Sequence, residues 1–520
     1  RHFRGIRYAL SRTAMKKKPI HLLLSIGLLP AIFAAVPPRV QAQTSAEIVE
    51  IDTSAPTHPF PHFWEQMYGS GRAILSLRES YRNDLRAVKQ ITDFQYIRFH
   101  AIFHDEVGVY SEDAQGKPVY NFSYVDQIYD GLLANGVKPF VELSFMPKQL
   151  SSNPAELHPF WYKQNIAPPK SWDRWEELVY QFTKHLVERY GEDEVAQWYF
   201  EVWNEPNIDF WAGNPKEATY YELYDHAARG VKRASPRLRV GGPATAQAAW
   251  VDRFIKHCVE NHVPFDFVST HVYGNDDAKR IFGTDEKIPR TQFVCRAAHK
   301  VYDEVKASTR PEVPIIWSEY NASYFNEPLV TDAAFMGPWI ADTIRQCDGL
   351  SEMMSYWDFS DVFEEQGVIQ KPFYGGFGLV AEGGVPKPAF NAFKLLHLLG
   401  DRRIPAASNS VLATRRADGT LVLAVWNLFL PEEAGHSKDM TIELAGLTGP
   451  HQAVIQDVDP EHGSPLPAYK AMGSPASPTQ EQYRELKKAA ELPAPRTLPV
   501  SEGKLSLTLP AHSLFVIEIR

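Results

Sequence analysis

From about Phe60 to Gly400 the chain repeats one pattern: a short apolar run, then a longer amphipathic stretch closed by glycine or proline. Eight such runs occur: FWEQMYGSG near 63–71, FQYIRFH at 94–100, VKPFVELSF at 137–145, WYFEVWN at 198–204, RLRVGGP at 237–243, FDFVSTHVY at 265–273, PIIWSEY at 314–320 and EMMSYWDF at 352–359. Between them lie helical patterns such as WDRWEELVYQFTKHLVERYG and ATYYELYDHAARGVKRAS. Eight strand–helix units predict an α/β fold, a (β/α)8 TIM barrel with long loops. A doubly wound open sheet is the competing arrangement, but it lacks a phosphate-binding fingerprint here. The nearest match, GGFGLVA at 375–381, runs into VPKPAF, whose prolines forbid an immediate long helix, and it reads as a loop.

After residue 400 the texture changes. LVLAVWNLFL, MTIELAGL, HQAVIQDVD, KLSLTLP and SLFVIEIR alternate as strands, interrupted by a proline-rich loop and one helix around 478–490. This predicts an accessory β-sandwich over 401–520 beside a barrel over 61–400. The segment 43–60, with EIVEIDTS, is expected to add a strand to the sandwich. Packing support for the barrel and a carbohydrate-binding module are the two roles open to the sandwich, the first being the simpler.

Residues 1–42 read as upstream sequence and a targeting signal. Met15 is followed by Lys16, Lys17 and Lys18, the apolar run IHLLLSIGLLPAIFAA, and a small-residue site ending at Ala42. The run is short for a membrane span and Pro30 interrupts it, so a cleaved signal peptide is preferred over an anchor. Residues 1–14 precede the start methionine of that signal. The expectation is an exported protein, periplasmic or secreted. A net charge of −9 over 520 residues argues against a dedicated nucleic-acid binder. Cys258, Cys295 and Cys347 are too few and scattered for a disulfide framework or metal knuckle, and are read as small buried hydrophobes.

Candidate chemistry starts at FEVWNEPN, 200–207. On a strand, Glu201, Trp203 and Glu205 share one face, but four residues span about 13 Å. The two glutamates therefore cannot act on one bond. Active sites of (β/α)8 enzymes lie at the C-terminal ends of the strands, which selects Glu205. Pro206 is expected to keep Glu205 extended. Glu201, one layer down, is assigned a structural role with an interior base such as Arg98. Glu319 in VPIIWSEYNASY likewise ends an apolar strand, the seventh to Glu205's fourth. Two carboxylates at one barrel mouth suit glycoside hydrolysis, in which one protonates the departing oxygen and the other attacks the anomeric carbon or activates water. Asn204 could bond a sugar hydroxyl, and Trp203, Phe145, Trp317, Tyr320, Trp357 and Phe359 offer flat faces for a pyranose. With no HExxH zinc signature and no phosphate loop, neither metal nor cofactor is expected.

WNEP at 203–206 on strand four, with a glutamate ending strand seven, resembles the retaining glycosidases of the 4/7 superfamily (clan A). YIRFHAIFHDEVGVY, KPFVELSFMP, FEVWNEPN, FVSTHVYG, WSEYNASY and YWDFSDVFEEQG follow one another as in glycoside hydrolase family 39, most closely its bacterial β-xylosidase branch. GGFGLV with PKPAF and the closing LPAHSLFVIEI extend the resemblance over roughly residues 45–520. It implies Glu205 as general acid/base, Glu319 as nucleophile and retention of configuration. It further implies Asn204 on the sugar 2-hydroxyl, Arg98 and Tyr273 beside Glu319, and His100, Phe145, His271, Trp357, Glu364 and Glu365 around the sugar.

This chemistry needs Glu205 protonated and Glu319 ionised, the first through the charge of the second and the second through Arg98. The expected activity is an exo-acting β-D-xylosidase on small oligosaccharides, with no nucleic-acid or membrane partner after signal cleavage. An α-L-iduronidase, a β-glucosidase or an α-L-arabinopyranosidase of the same family are the alternatives, as is a non-catalytic sugar-binding scaffold, since a fold alone does not give a function.

Overall fold

The eight expected strands close into one parallel barrel in a computed structural model that describes residues 45–520. The targeting segment lies outside the described residues. In chain order the strands are β1 Met67–Ser70, β2 Tyr96–Phe99, β3 Lys138–Leu143, β4 Tyr199–Val202, β5 Arg239–Thr245, β6 Phe267–Tyr273, β7 Ile315–Asn321 and β8 Met353–Tyr356. β8 returns to β1 through Tyr356 opposite Tyr68, which closes the ring. The helices that follow the strands are α1 Glu79–Lys89, α2 Ser123–Leu133, α3 Trp172–Tyr190, α4 Lys216–Ala234, α5 Val251–Glu260, α6 Arg290–Ala307, α7 Met336–Cys347 and α8 Pro388–Leu396. Their starts follow local chemistry: the Ser171 hydroxyl caps α3 by accepting from Arg174 N, and Pro215 and Pro289 immediately precede α4 and α6.

The barrel interior is layered. Met67, Phe140, Tyr199, Phe267, Ile316 and Met353 form an apolar floor. One pleat repeat above it the same strands turn polar, with Arg98, Glu142, Glu201, Ser269, Ser318 and Ser355, all buried. Pairing of β7 slips at both edges, against β6 between Thr270 and His271 and against β8 between Trp317 and Tyr320. Such irregularities re-aim side chains. Here two successive residues, Ser318 and Glu319, both reach interior partners, Glu201 and Arg98.

The second unit of structure is a two-sheet sandwich. Its larger sheet joins His58–Pro59, β9 Arg402–Ile404, β10 Val411–Arg415, β11 Leu421–Asn427, β16 Ser513–Ile519, β13 His451–Val458 and β14 Arg496–Val500. Its smaller sheet places the N-terminal strand Ser45–Asp52 parallel to β12 Lys438–Ala445, which pairs with β15 Lys504–Leu509. β11 alternates between two cores: Leu421, Leu423 and Val425 face the sandwich interior, while Val422, Ala424 and Trp426 join the barrel core. That second apolar face covers α7, where Gly337 lets Val458 approach closely, so the sandwich packs directly on the barrel. Besides the helix Gln480–Ala489, a short helix at Leu466–Ala471 departs from the expected loop.

The reading of all three cysteines as buried hydrophobes holds only for Cys258. Cys295 on α6 and Cys347 at the end of α7 form a disulfide, because these neighbouring helices bring their Cα atoms to 5.2 Å across a separation of 52 residues. Spacing alone does not reveal such a pair. A loop of that length corresponds to about 4 kcal/mol in the chain-entropy account. Denaturant melts of the parent and of Cys295→Ser/Cys347→Ser should therefore differ by about 2–4 kcal/mol, and reductant should shift only the parent. Coincident curves would contradict the bond.

Candidate active site

Strand β4 ends in an unusual way. Trp203 and Glu205 both have positive φ, 72° and 45°. The expectation that Pro206 keeps Glu205 extended is therefore corrected, as is the shared face of Glu201, Trp203 and Glu205. The cause is the Trp203 indole, which leaves the polar interior to pack edge-on against Phe145, Trp175 and Trp211 while its Nε1 donates to Phe210 O at 2.9 Å. Left-handed residues cost of order 1–3 kcal/mol each, and burying a large aromatic gives back a similar amount. The turn aims Asn204 inward and Glu205 at the mouth, where Glu205 N donates to Ala244 O at 2.8 Å. Three further left-handed residues, Gln247, Ala248 and Trp250, follow β5 beside it.

Arg98 on β2 is the centre of the interior. It is fully buried, and its Nε donates to Glu201 at 2.6 Å, its Nη1 to Glu319 at 2.7 Å and its Nη2 to Asn204 Oδ1 at 3.0 Å, with Glu142 at 2.8 Å. Glu319 accepts a second bond, from Tyr273 Oη at 2.5 Å. Glu205 meets His271 Nδ1 at 2.9 Å, and His271 Nε2 meets Ser318 Oγ at 3.1 Å. His100 Nδ1 lies 2.7 Å from Glu142, and its Nε2 faces Glu319 and Glu365 at 3.9 and 3.8 Å.

The two carboxyl groups have unequal surroundings. Burial raises the pKa of both. At Glu205 the charge of Glu319 pushes it further, well above the usual carboxylate range. At Glu319 the charges of Arg98 and His100 and the Tyr273 hydroxyl pull the other way. A proton shared by the pair therefore resides on Glu205. Burial, with Arg98 and His100 as neighbouring cations, holds His271 well below its ordinary value. Burial also pushes Glu365 up to about 8, against the pull of His100.

The site opens into a cavity of about 440 Å³. Glu205, Glu319, Asn204, His100, Tyr273, Trp357 and Glu365 all line it. Phe145, His271 and Glu364 stand behind the wall: Phe145 among aromatic rings, His271 beneath Glu205, and Glu364 held by Arg72 and Arg78. Of the six aromatic residues proposed as sugar platforms, only Trp357 reaches the cavity. Trp317, Tyr320 and Phe359 are fully packed, Tyr320 against Trp339 and Phe359 against Tyr81. The cavity also takes His158 and Phe160 from the β3–α3 loop, and Gln247, Asp276 and Tyr324 near Glu205. These sit in loops, where no periodicity marks them; the positive φ of Gln247 is visible only in the structure.

Among the described residues, three groups of imidazole and carboxylate atoms come within 4.8 Å of one another: Glu205–His271–Glu319, His62–Glu65–His397 and Asp457–Asp459–His462. In each, a histidine already hydrogen-bonds a carboxylate of the group, and in the first the Arg98 guanidinium occupies the place beside Glu319 that a cation would take.

A protonated and an ion-paired carboxyl group facing one cavity at the C-terminal ends of β4 and β7 define the class, a glycoside hydrolase of the (β/α)8 type. The profile described as Glycosyl hydrolases family 39 matches residues 47–504. A beta-xylosidase of Geobacillus stearothermophilus is 34% identical over 472 residues, 88% of this chain and 93% of its own. A beta-xylosidase of Caldicellulosiruptor saccharolyticus is 35% identical over 477 residues, 88% of this chain and 95% of its own. The crystal structure of a monomeric beta-xylosidase from Caulobacter crescentus CB15 superposes with a TM-score of 0.82 at 34% identity, over 91% of this chain and 99% of that one. The chain belongs to glycosyl hydrolase family 39.

Gly69 on β1 makes room for the sugar wall, because a Cβ there would lie 2.0 Å from Trp357 Cε3. Gly69→Ala should destabilise the fold by about 1–3 kcal/mol and, by displacing Trp357, raise KM for an aryl glycoside at least about tenfold. Thermal melts and initial rates check both, and an unchanged KM would contradict the placement of Trp357.

Proposed function

We propose that the protein is a retaining, exo-acting β-D-xylosidase that releases xylose from the non-reducing end of xylo-oligosaccharides. The observation that carries this is the pairing of Glu205 and Glu319, with a carboxylate oxygen of each within 4.8 Å of the other. That proximity suits a nucleophile that attacks directly, since retaining enzymes hold their carboxyl groups about 5–5.5 Å apart and inverting ones leave room for a water at about 6.5–9.5 Å. The beta-xylosidases at 34–35% identity supply the glycone class.

In the first step Glu319 attacks the anomeric carbon while Glu205 gives its proton to the departing glycosidic oxygen. A glycosyl ester on Glu319 and a free aglycone result. Esterification removes the charge that held Glu205 protonated, so Glu205 can then act as base. It takes a proton from a water that attacks the same carbon, and Glu319 leaves as carboxylate. Asn204 accepts Arg98 Nη2 on its Oδ1, which leaves its amide N–H groups as donors for the sugar 2-hydroxyl. The clustered rings of Tyr273, Trp357, Phe363 and Phe377 wall the cavity. Among the described residues Arg280 is the one lysine or arginine that lines it, which leaves a uronate carboxylate little to pair with. This favours a xyloside over an iduronide.

We also propose export. The basic, apolar and small-residue succession of 15–42 supports it, and so does the Cys295–Cys347 bond, which suits an oxidising compartment.

With p-nitrophenyl β-D-xyloside as substrate, Glu319→Ala should lose at least about a thousandfold in kcat. Azide should restore turnover with the inverted α-azide as product. Glu205→Ala should lose about 10²–10⁴-fold on xylobiose, far less on activated aryl xylosides, and yield the β-azide. Parallel assays on the glucoside, arabinopyranoside and iduronide set the glycone. An active Glu319→Ala without azide would sink the assignment, and binding with no turnover of any substrate would favour a scaffold.

A further inference from the structure

We propose that Ser318, through His271, fixes the catalytic proton on Glu205, so that the residue preceding the nucleophile is a positioning residue for the acid/base. The proposal rests on the acid/base role of Glu205 in the preceding reading. It follows from counting hydrogens along one chain of contacts. Glu201 accepts Arg98 Nε on one oxygen at 2.6 Å and Ser318 Oγ on the other, also at 2.6 Å. A carboxylate held this way offers only lone pairs, so the single hydroxyl hydrogen of Ser318 is committed to it. The Ser318 oxygen is then an acceptor for His271 Nε2 at 3.1 Å, and Nε2 must carry hydrogen.

His271 is fully buried near the Arg98 and His100 cations, which keeps the ring neutral. A neutral imidazole has one hydrogen, so Nδ1 presents a lone pair to Glu205 Oε1 at 2.9 Å. Lone pair against carboxylate would repel. The contact is a hydrogen bond when Glu205 carries the proton and donates it to Nδ1. With the buried ring neutral, the contacts place the proton on the acid. It also connects the two glutamates of β4: Glu201 communicates with Glu205 by way of β7 and β6.

The lock serves both steps. It holds Glu205 protonated until the glycosidic oxygen takes that proton. Afterwards the Glu205 anion faces a lone pair rather than a donor, which makes it a stronger base toward the attacking water. Other charged groups also face this pair. They are Glu319 on β7, Arg98 and His100 on β2, Glu142 on β3, Tyr273 and Asp276 at the end of β6, and Glu365 after β8. None of them bonds Ser318 directly.

The test is the pH dependence of kcat/KM on a β-xyloside for the parent, Ser318→Ala and Ser318→Thr. Without the hydroxyl, His271 can move its hydrogen to Nδ1 and donate to the Glu205 anion. The basic limb of Ser318→Ala should then fall by about one pH unit, while Ser318→Thr, which keeps a hydroxyl, should retain the parent limb. A uniform loss at every pH with the limb unmoved would overturn the proposal. Should Ser318→Ala fold poorly, nitrogen chemical shifts of His271 in the ¹⁵N-histidine-labelled parent, assigned by difference with His271→Gln, decide the matter alone. They should show hydrogen on Nε2 and a bare Nδ1, and hydrogen on Nδ1 throughout the active pH range would overturn it. A parent inactive on every glycoside would overturn the reading beneath it as well.

Discussion

A fully buried guanidinium, Arg98, sits where four of the eight strands come to bear on one point. Three carboxylates and an amide meet it within 3.0 Å, from β3, from β4 and its end, and from β7. Taking such charges out of water is expensive, and only near-complete pairing offsets it. Losing one partner of a buried pair typically costs about 3–5 kcal/mol because the others are left uncompensated. The polar layer above the apolar floor is therefore held as a unit. The proposed nucleophile belongs to that unit: Glu319 is placed by the same cation that balances Glu142 and Glu201.

The proposed acid is built differently. Among the described residues Glu205 touches no lysine or arginine; it touches an imidazole kept neutral by burial and by the cations around it. The charge of Arg98 draws a proton off Glu319 and pulls the same way on Glu205, where burial and the charge of Glu319 outweigh it, and it also denies that proton to His271. The strained end of β4 is part of this division. Sending Trp203 outward leaves the next two residues, Asn204 and Glu205, both lining the cavity, which a regular strand would not allow.

The barrel strands, the sandwich and the two carboxyl groups were readable because each follows a period. Short apolar runs alternate with helices, and a catalytic glutamate stands at the end of its run. Arg98 was readable too, as an interior base near Glu201. What escaped was wherever the chain leaves its period. Ser318 shares the interior with Glu319 only because the β7 ladder slips, whereas strict alternation puts one of them outside. Trp203 resembles a sugar platform until its positive φ turns it away. Trp317, Tyr320 and Phe359 have the right chemistry but face the helix layer. Cys295 and Cys347 become partners only when α6 and α7 are neighbours.

Glu319, anchored by Arg98, is proposed to bond covalently to the sugar. Incubation with 2,4-dinitrophenyl 2-deoxy-2-fluoro-β-D-xyloside, in which the fluorine slows release of the intermediate, followed by peptide mass spectrometry, tests it directly. One fluoroxylosyl group per chain is expected, on Glu319, released again on transfer to an added acceptor. A label on Glu205, or time-dependent turnover with no labelled peptide, would contradict it.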